Sequence, residues 1–322
     1  MPSRAVVRSA LVLLLLSLLA CRRSVPASEL DEAPQLKSYS LEHGGIVRDL
    51  SIFDPRSPGG GGLRPLVVAL HGALGDDDDA VALKFGKLNR LAEADDFLVA
   101  YPLGVGGHWN DGRNVQRYVA QRERVDDVGF LAALVDELVQ DRGADPDAVF
   151  FVGVSDGAMM THRFACERTL KLRAFTAVIG AMPDNVARKR WRCGKDAIAA
   201  LMINGTDDPV VPWDGGSVQF DGQELGKVLS VEQTLAFWMR HNSCTGDDVS
   251  MLPDFVPQDG TRIERTRATG CRDDVKVELF AVRGAGHTWP SGWQYLPPSL
   301  VGSTSRDIDA AIAAWRFFQS TL

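Results

Sequence analysis

The stretch from Ala148 to Cys166 constrains this chain more than any other. Residues 148–152 (AVFFV) form an unbroken apolar, β-branched and aromatic run, the pattern of a strand buried on both faces. Gly153-Val154-Ser155-Asp156-Gly157 follows, and a helical pattern then runs through Cys166. Strand, G-x-S-x-G, helix is the context of a nucleophile elbow. The turn at Ser155 is so tight that side chains at the two flanking positions would collide, and Gly153 and Gly157 remove them. The hydroxyl is pushed to the opening of the sheet at a helix N-terminus, whose unpaired N–H groups and positive potential suit a developing oxyanion. A plain strand-to-helix turn would read the same way locally, so the rest of the chain has to support the assignment.

It does so first through architecture. Short apolar runs at 65–70, 97–101, 175–179 and 198–203, and the alternating stretch at 275–282, predict further strands. Between or after them, apolar residues at helical spacing predict helices at 80–93, 125–139, 230–241 and 306–318. Alternation of this kind gives an α/β fold with a mostly parallel sheet and helices on both faces. Residues 38–41 and 46–53, joined by His43-Gly44-Gly45, predict a β-hairpin at the entrance to the domain. Residues 245–274 are polar and show no clear period. The expected organisation is a single domain over 36–322.

The segment ahead of it reads as targeting. Arg4 and Arg8 precede the apolar run Leu11–Leu19, which is short for a membrane span, and the sequence then reads Leu18-Leu19-Ala20-Cys21. This resembles a bacterial lipobox, with 1–21 a lipoprotein signal peptide and Cys21 the acylated residue that would anchor the protein to a bacterial membrane. An ordinary secretory signal is the alternative. Residues 22–35 read as a tether. Either way the domain is expected outside the cytoplasm, extracellular or periplasmic. Cys166, Cys193, Cys244 and Cys271 then form an even set in an oxidising compartment. Of three possible pairings we favour Cys166–Cys193 and Cys244–Cys271, each closing a loop worth roughly 3 kcal/mol. The formal net charge of −7 argues against nucleic acid as a partner.

Candidate site residues fall at predicted strand ends, where open α/β sheets bind ligands. The strand at 65–70 runs into His71-Gly72-Ala73, and the Ala73 N–H is an expected oxyanion donor together with that of Asp156. His71 reads as structural. The glycine-rich loop 102–112 offers Trp109 and Asn110 as substrate contacts, although Trp109 could equally plug the loop onto the core. The strand at 198–203 leads to Asp207-Asp208-Pro209, where an acid partner should stand; Asp208 is preferred and Asp207 is the fallback. His287 lies in a glycine-rich loop after the strand at 275–282, and the order Ser155, Asp208, His287 is the one this elbow motif uses. Asp76–Asp79 read as a solvated acidic cap rather than a calcium loop. The chemistry requires no cofactor and no metal.

The motifs LHG (70–72), YPLGVGGHWNDGR (101–113), VDDVGFLAALVDEL (125–138), GVSDGAMMTHRFACE (153–167), NGTDDPVVPW (204–213) and GHTWP (286–290) resemble the esterase/polyhydroxybutyrate depolymerase family, which also holds feruloyl and acetylxylan esterases. The resemblance implies an α/β-hydrolase fold without a large lid. It carries Ser155 over as nucleophile, Asp208 as acid and His287 as base. It implies an ester substrate, with hydroxyalkanoate polyesters or oligomers placed first. Feruloyl or acetyl esters of cell-wall polysaccharide come second, where Trp109 and Trp289 would line the acyl or sugar pocket. A non-catalytic glycan- or polymer-binding lipoprotein comes third. A monomer is expected. One departure stands out: Asp156 occupies a position where Asn or a small residue is usual, so its carboxylate should point away from the oxyanion.

Overall fold

The computed structural model describes residues 36–55, 61–73, 78–167, 170, 172–189 and 192–322, without the side chains of 78–86. The targeting segment, Cys21, the tether, Asp76 and Asp77 lie outside the described residues. Gln35–Leu322 forms one compact unit. Its centre is a ten-stranded sheet in the order β1-β2-β4-β3-β5-β6-β7-β12-β11-β10. The six inner strands are parallel: β4 (Leu98–Pro102), β3 (Arg64–Leu70), β5 (Ala144–Val154), β6 (Ala174–Val178), β7 (Ala199–Gly205) and β12 (Val277–Arg283). The hairpin of β1 (Lys37–His43) and β2 (Ile46–Phe53) extends one edge antiparallel. At the other edge, β11 (Arg262–Thr269) and β10 (Gly246–Met251) do the same. These two strands occupy the stretch that showed no sequence period, because β10 is exposed at nearly every position and so carries no apolar alternation.

Strand β5 shows how the layers form. Neighbouring side chains on a strand face opposite ways. Phe151 stacks on Phe164 at 4.2 Å, on the side covered by α2 (Asp127–Arg142), α3 (Asp156–Glu167) and α4 (Val231–His241). Phe150 stacks on Phe318 at 4.7 Å, on the side covered by α1 (Asp78–Asp95) and α5 (Ala310–Gln319). Helix ends are chemically marked. Asp126 caps α2, which stops at the left-handed Gly143, and Ser230 with Gln233 forms a capping box on α4. Disulfides join Cys166 to Cys193 and Cys244 to Cys271, tying the ends of α3 and α4 to neighbouring turns. Together they fit an oxidising compartment. No described helix is long and apolar enough to cross a membrane.

A second, two-stranded sheet stands apart. Strands β8 (Gly216–Phe220) and β9 (Gln223–Val228) pair antiparallel around Asp221-Gly222 and lie over the C-terminal ends of the parallel strands, where they wall the cavity described next.

Candidate active site

Strand β5 delivers Ser155 to the sheet opening with φ at +54°, a left-handed backbone that costs energy in a non-glycine residue. The surroundings hold it there. The Ser155 N–H donates to the Val178 carbonyl at 3.0 Å, and its carbonyl accepts from Met159 in the first turn of α3. A Cβ on Gly153 would strike the Gly157 carbonyl oxygen, and one on Gly157 would strike that of Leu70. The two glycines thus let β5, α3 and β3 approach to backbone contact.

Two loops complete the arrangement. The Ser155 hydroxyl donates to Nε2 of His287 at 2.9 Å, and His287 Nδ1–H donates to Oδ2 of Asp208 at 2.8 Å. The other Asp208 oxygen accepts the N–H groups of Val210 and Val211, both at 2.8 Å. Asp208 is buried, whereas Asp207 is exposed and bonded to Thr206. Of the two acids the sequence offered, the preferred Asp208 meets the imidazole and the fallback Asp207 does not. The Tyr295 hydroxyl donates to the His287 carbonyl at 3.0 Å, and burial, with the nearby Asp208 charge, pushes the Tyr295 phenol up to about 12. Tyr295 escaped sequence reading because nothing local links it to His287.

A cavity of about 460 Å³ opens at Ser155. Gly72, Ala73, Asp156 and His287 border it together with Ser155. Its apolar wall comes from Tyr118, Ile179, Val210 and three hairpin residues, Val218, Phe220 and Leu225. The hairpin was not anticipated, although Asp221-Gly222 between VQF and QEL is a standard turn signal.

Trp109 and Asn110, expected as substrate contacts, do not line this cavity. Trp109 is fully buried and donates from its indole to the His71 carbonyl at 3.0 Å. Asn110 donates to Asp127 and to the Val125 carbonyl, which pins the glycine-rich loop to the start of α2. Both serve the loop because its glycines supply no side chains of their own to pack. Trp289 is half-buried against the core under α5 and is absent from the cavity lining. His71 joins these loops, with Nδ1–H donating to the Gly72 carbonyl and Nε2 accepting from the Gly104 N–H. The Asp156 carboxylate faces a buried ionic cluster: Oδ1 accepts from Arg113 at 2.7 Å and Oδ2 from Nδ1 of His108 at 2.9 Å. Burial opposes its ionisation, but Arg113 and His108 outweigh that and pull Asp156 down to about 2.

Comparison with known proteins gives the family. The model of the family described as Phospholipase/Carboxylesterase matches residues 61–246, more than half of the chain. The chain belongs to that family. This esterase is 30% identical over 270 residues to "Putative esterase NocK" of Nocardia uniformis subsp. tsuyamanensis, covering 81% of this chain and 76% of that one. It is 26% identical over 274 residues to Feruloyl esterase C of Emericella nidulans, covering 83% and 80%. Among solved structures, the acetyl xylan esterase from Aspergillus awamori superposes with a TM-score of 0.55 at 15% identity, over 88% of this chain and 99% of that one, and so shares its fold. The protein is a carboxylic ester hydrolase of the α/β-hydrolase type.

Proposed function

We propose that this esterase works through an acyl-serine intermediate, with Ser155 as nucleophile, His287 as base and Asp208 as the acid that orients it. A serine hydroxyl is a weak nucleophile at neutral pH. His287 takes its proton as the oxygen attacks the ester carbonyl, and Asp208 holds the ring and stabilises the imidazolium. The N–H groups of Ala73 and Asp156 receive the oxyanion. The imidazolium then protonates the leaving alcohol, and water, activated by the same base, releases the acid. The observation that carries this reading is the unbroken chain Ser155–His287–Asp208, at 2.9 and 2.8 Å, opening into the cavity.

For the acyl group, we propose a hydroxycinnamoyl ester of the feruloyl type. A cavity of about 460 Å³ walled by Tyr118, Phe220 and aliphatic side chains suits one flat aromatic acyl group. The similarity to Feruloyl esterase C points the same way. Hydroxyalkanoate oligomers are the second reading, supported by the motif resemblance and by Trp293 and Leu300, exposed on the segment that carries Tyr295. The test is a panel of methyl ferulate, acetylated xylan and hydroxybutyrate oligomers, with Ser155→Ala as blank. Ser155→Ala is expected to abolish turnover with an unchanged melt; turnover surviving in that variant would overturn the mechanism. Release of hydroxybutyrate alone would move the assignment to polyesters. We further propose acylation at Cys21, so a Cys21→Ser chain should leave the membrane fraction; a variant that stays membrane-bound would refute the anchor.

A further inference from the structure

The cavity holds a second imidazole paired with a carboxylate. His108 lines the cavity, its ring stacked on Tyr118 at 3.5 Å between centroids with an interplanar angle of 11°. Its Nδ1 is bonded to Asp156, the residue that follows the nucleophile. Asp156 is in turn clamped by Arg113, whose guanidinium also donates twice to Asp111 and once to the Leu225 carbonyl of the hairpin. Asp111 accepts further bonds from the Arg113 N–H and from Gln121. Every bond in the cluster runs from a donor to a carboxylate or carbonyl, so Nδ1 of His108 must be the protonated nitrogen. Nε2 has no hydrogen-bond partner among the described residues. It is the polar atom that this ring can offer to a cavity occupant.

We infer that His108 is a specificity-determining residue that recognises a hydroxyl carried on the acyl part of the ester. The placement follows from the cavity: His108 lies against Tyr118, one of the side chains that wall the space assigned above to the acyl group. The chemistry follows from the ring. A neutral imidazole with Nδ1–H committed to Asp156 accepts through Nε2, and an imidazolium donates through it. A hydroxyl pairs with either. The wall around it is largely apolar, so an analogue lacking the hydroxyl forfeits a bond made in a partly shielded site. The inference rests on the acyl-serine reading of Ser155. It leaves open whether the hydroxyl is a phenol or an aliphatic alcohol.

The experiment compares kcat/KM within two ester pairs: methyl p-coumarate against methyl cinnamate, and p-nitrophenyl 3-hydroxybutyrate against p-nitrophenyl butyrate. The intact protein should favour the hydroxylated member of one pair by about tenfold, the scale of a single partly shielded hydrogen bond. The pair that shows the preference identifies the source of the hydroxyl. His108→Phe keeps the stacking on Tyr118 and should erase the preference, with the loss falling on the hydroxylated ester. His108→Gln, which retains a polar tip, should keep part of it and decides the matter if the Phe variant does not fold. No preference in the intact protein, or one that survives both substitutions, overturns the inference. Turnover that survives Ser155→Ala breaks the underlying esterase mechanism and takes this inference with it. Loss of the preference expectation alone leaves that mechanism standing.

Discussion

Two histidine–carboxylate pairs flank the Ser155 region, nearly equal in length and different in what holds them. Asp208 is fixed by two backbone N–H groups and, among the described residues, pairs with no arginine or lysine, only with the His287 ring. Asp156 is fixed by a guanidinium that it shares with Asp111. A carboxylate oriented by neutral amides keeps its charge for the imidazolium that forms during attack. A carboxylate already neutralised by arginine has less to give, and serves instead to aim a ring. The comparison teaches that the Nδ1 contact alone does not make a histidine a base; the second oxygen of its partner decides what charge the pair can absorb.

The largest expected effect is on the first pair. Asp208→Asn preserves the shape but removes the charge and disturbs the tautomer of His287, so kcat should fall by about 10⁴-fold with little change in Tm. A loss under tenfold would erase the distinction drawn between the pairs. The second pair should fail differently. Arg113→Met leaves Asp111 and Asp156 buried without their cation, and should cost about 3–5 kcal/mol of stability by denaturant melt. A stable Arg113→Met with intact folding would mean that the cluster is not held by charge.

The smallest effect is in acid. Asp156 has a folded pKa of about 2, below the ~3.9 of an unfolded aspartate, so the unfolded chain binds the proton first as pH falls. Its stabilisation is complete above about pH 4 and is lost as pH drops toward 2. His162, lowered to about 3 by burial, adds a separate loss of stability between about pH 6.5 and 3, in the same direction. Denaturant melts of the intact protein and Asp156→Asn between pH 5 and 2.5 should therefore converge as pH falls. Parallel curves would show that Asp156 contributes no charge-dependent stability.

Much of the fold was legible because it is written in local periods. The runs at 65–70 and 198–203 are apolar throughout because β3 and β7 are buried on both faces. The elbow glycines are legible because no other residue tolerates that backbone approach. The hairpin β8–β9 was missed although its Asp221-Gly222 turn is explicit, since its strands are short and half-exposed. Trp109 and Asn110 drew attention as binding residues for a sound local reason, their place in a glycine-rich loop at a strand end, yet their side chains turn inward to anchor it.

The sequence by itself determined the α/β layering, the order of Ser155, Asp208 and His287 along the chain, and a cysteine set that closes two short loops. Each is read from short local motifs taken in chain order, where backbone sterics and burial period act directly. Only the tertiary structure decided that Asp208 rather than Asp207 meets the imidazole, that Tyr295 bonds the His287 carbonyl, and that His108, Asp156, Arg113 and Asp111 share one buried charge cluster. Those contacts join residues from separate loops, and no local pattern encodes a distance that exists only once the sheet has brought its strand ends together.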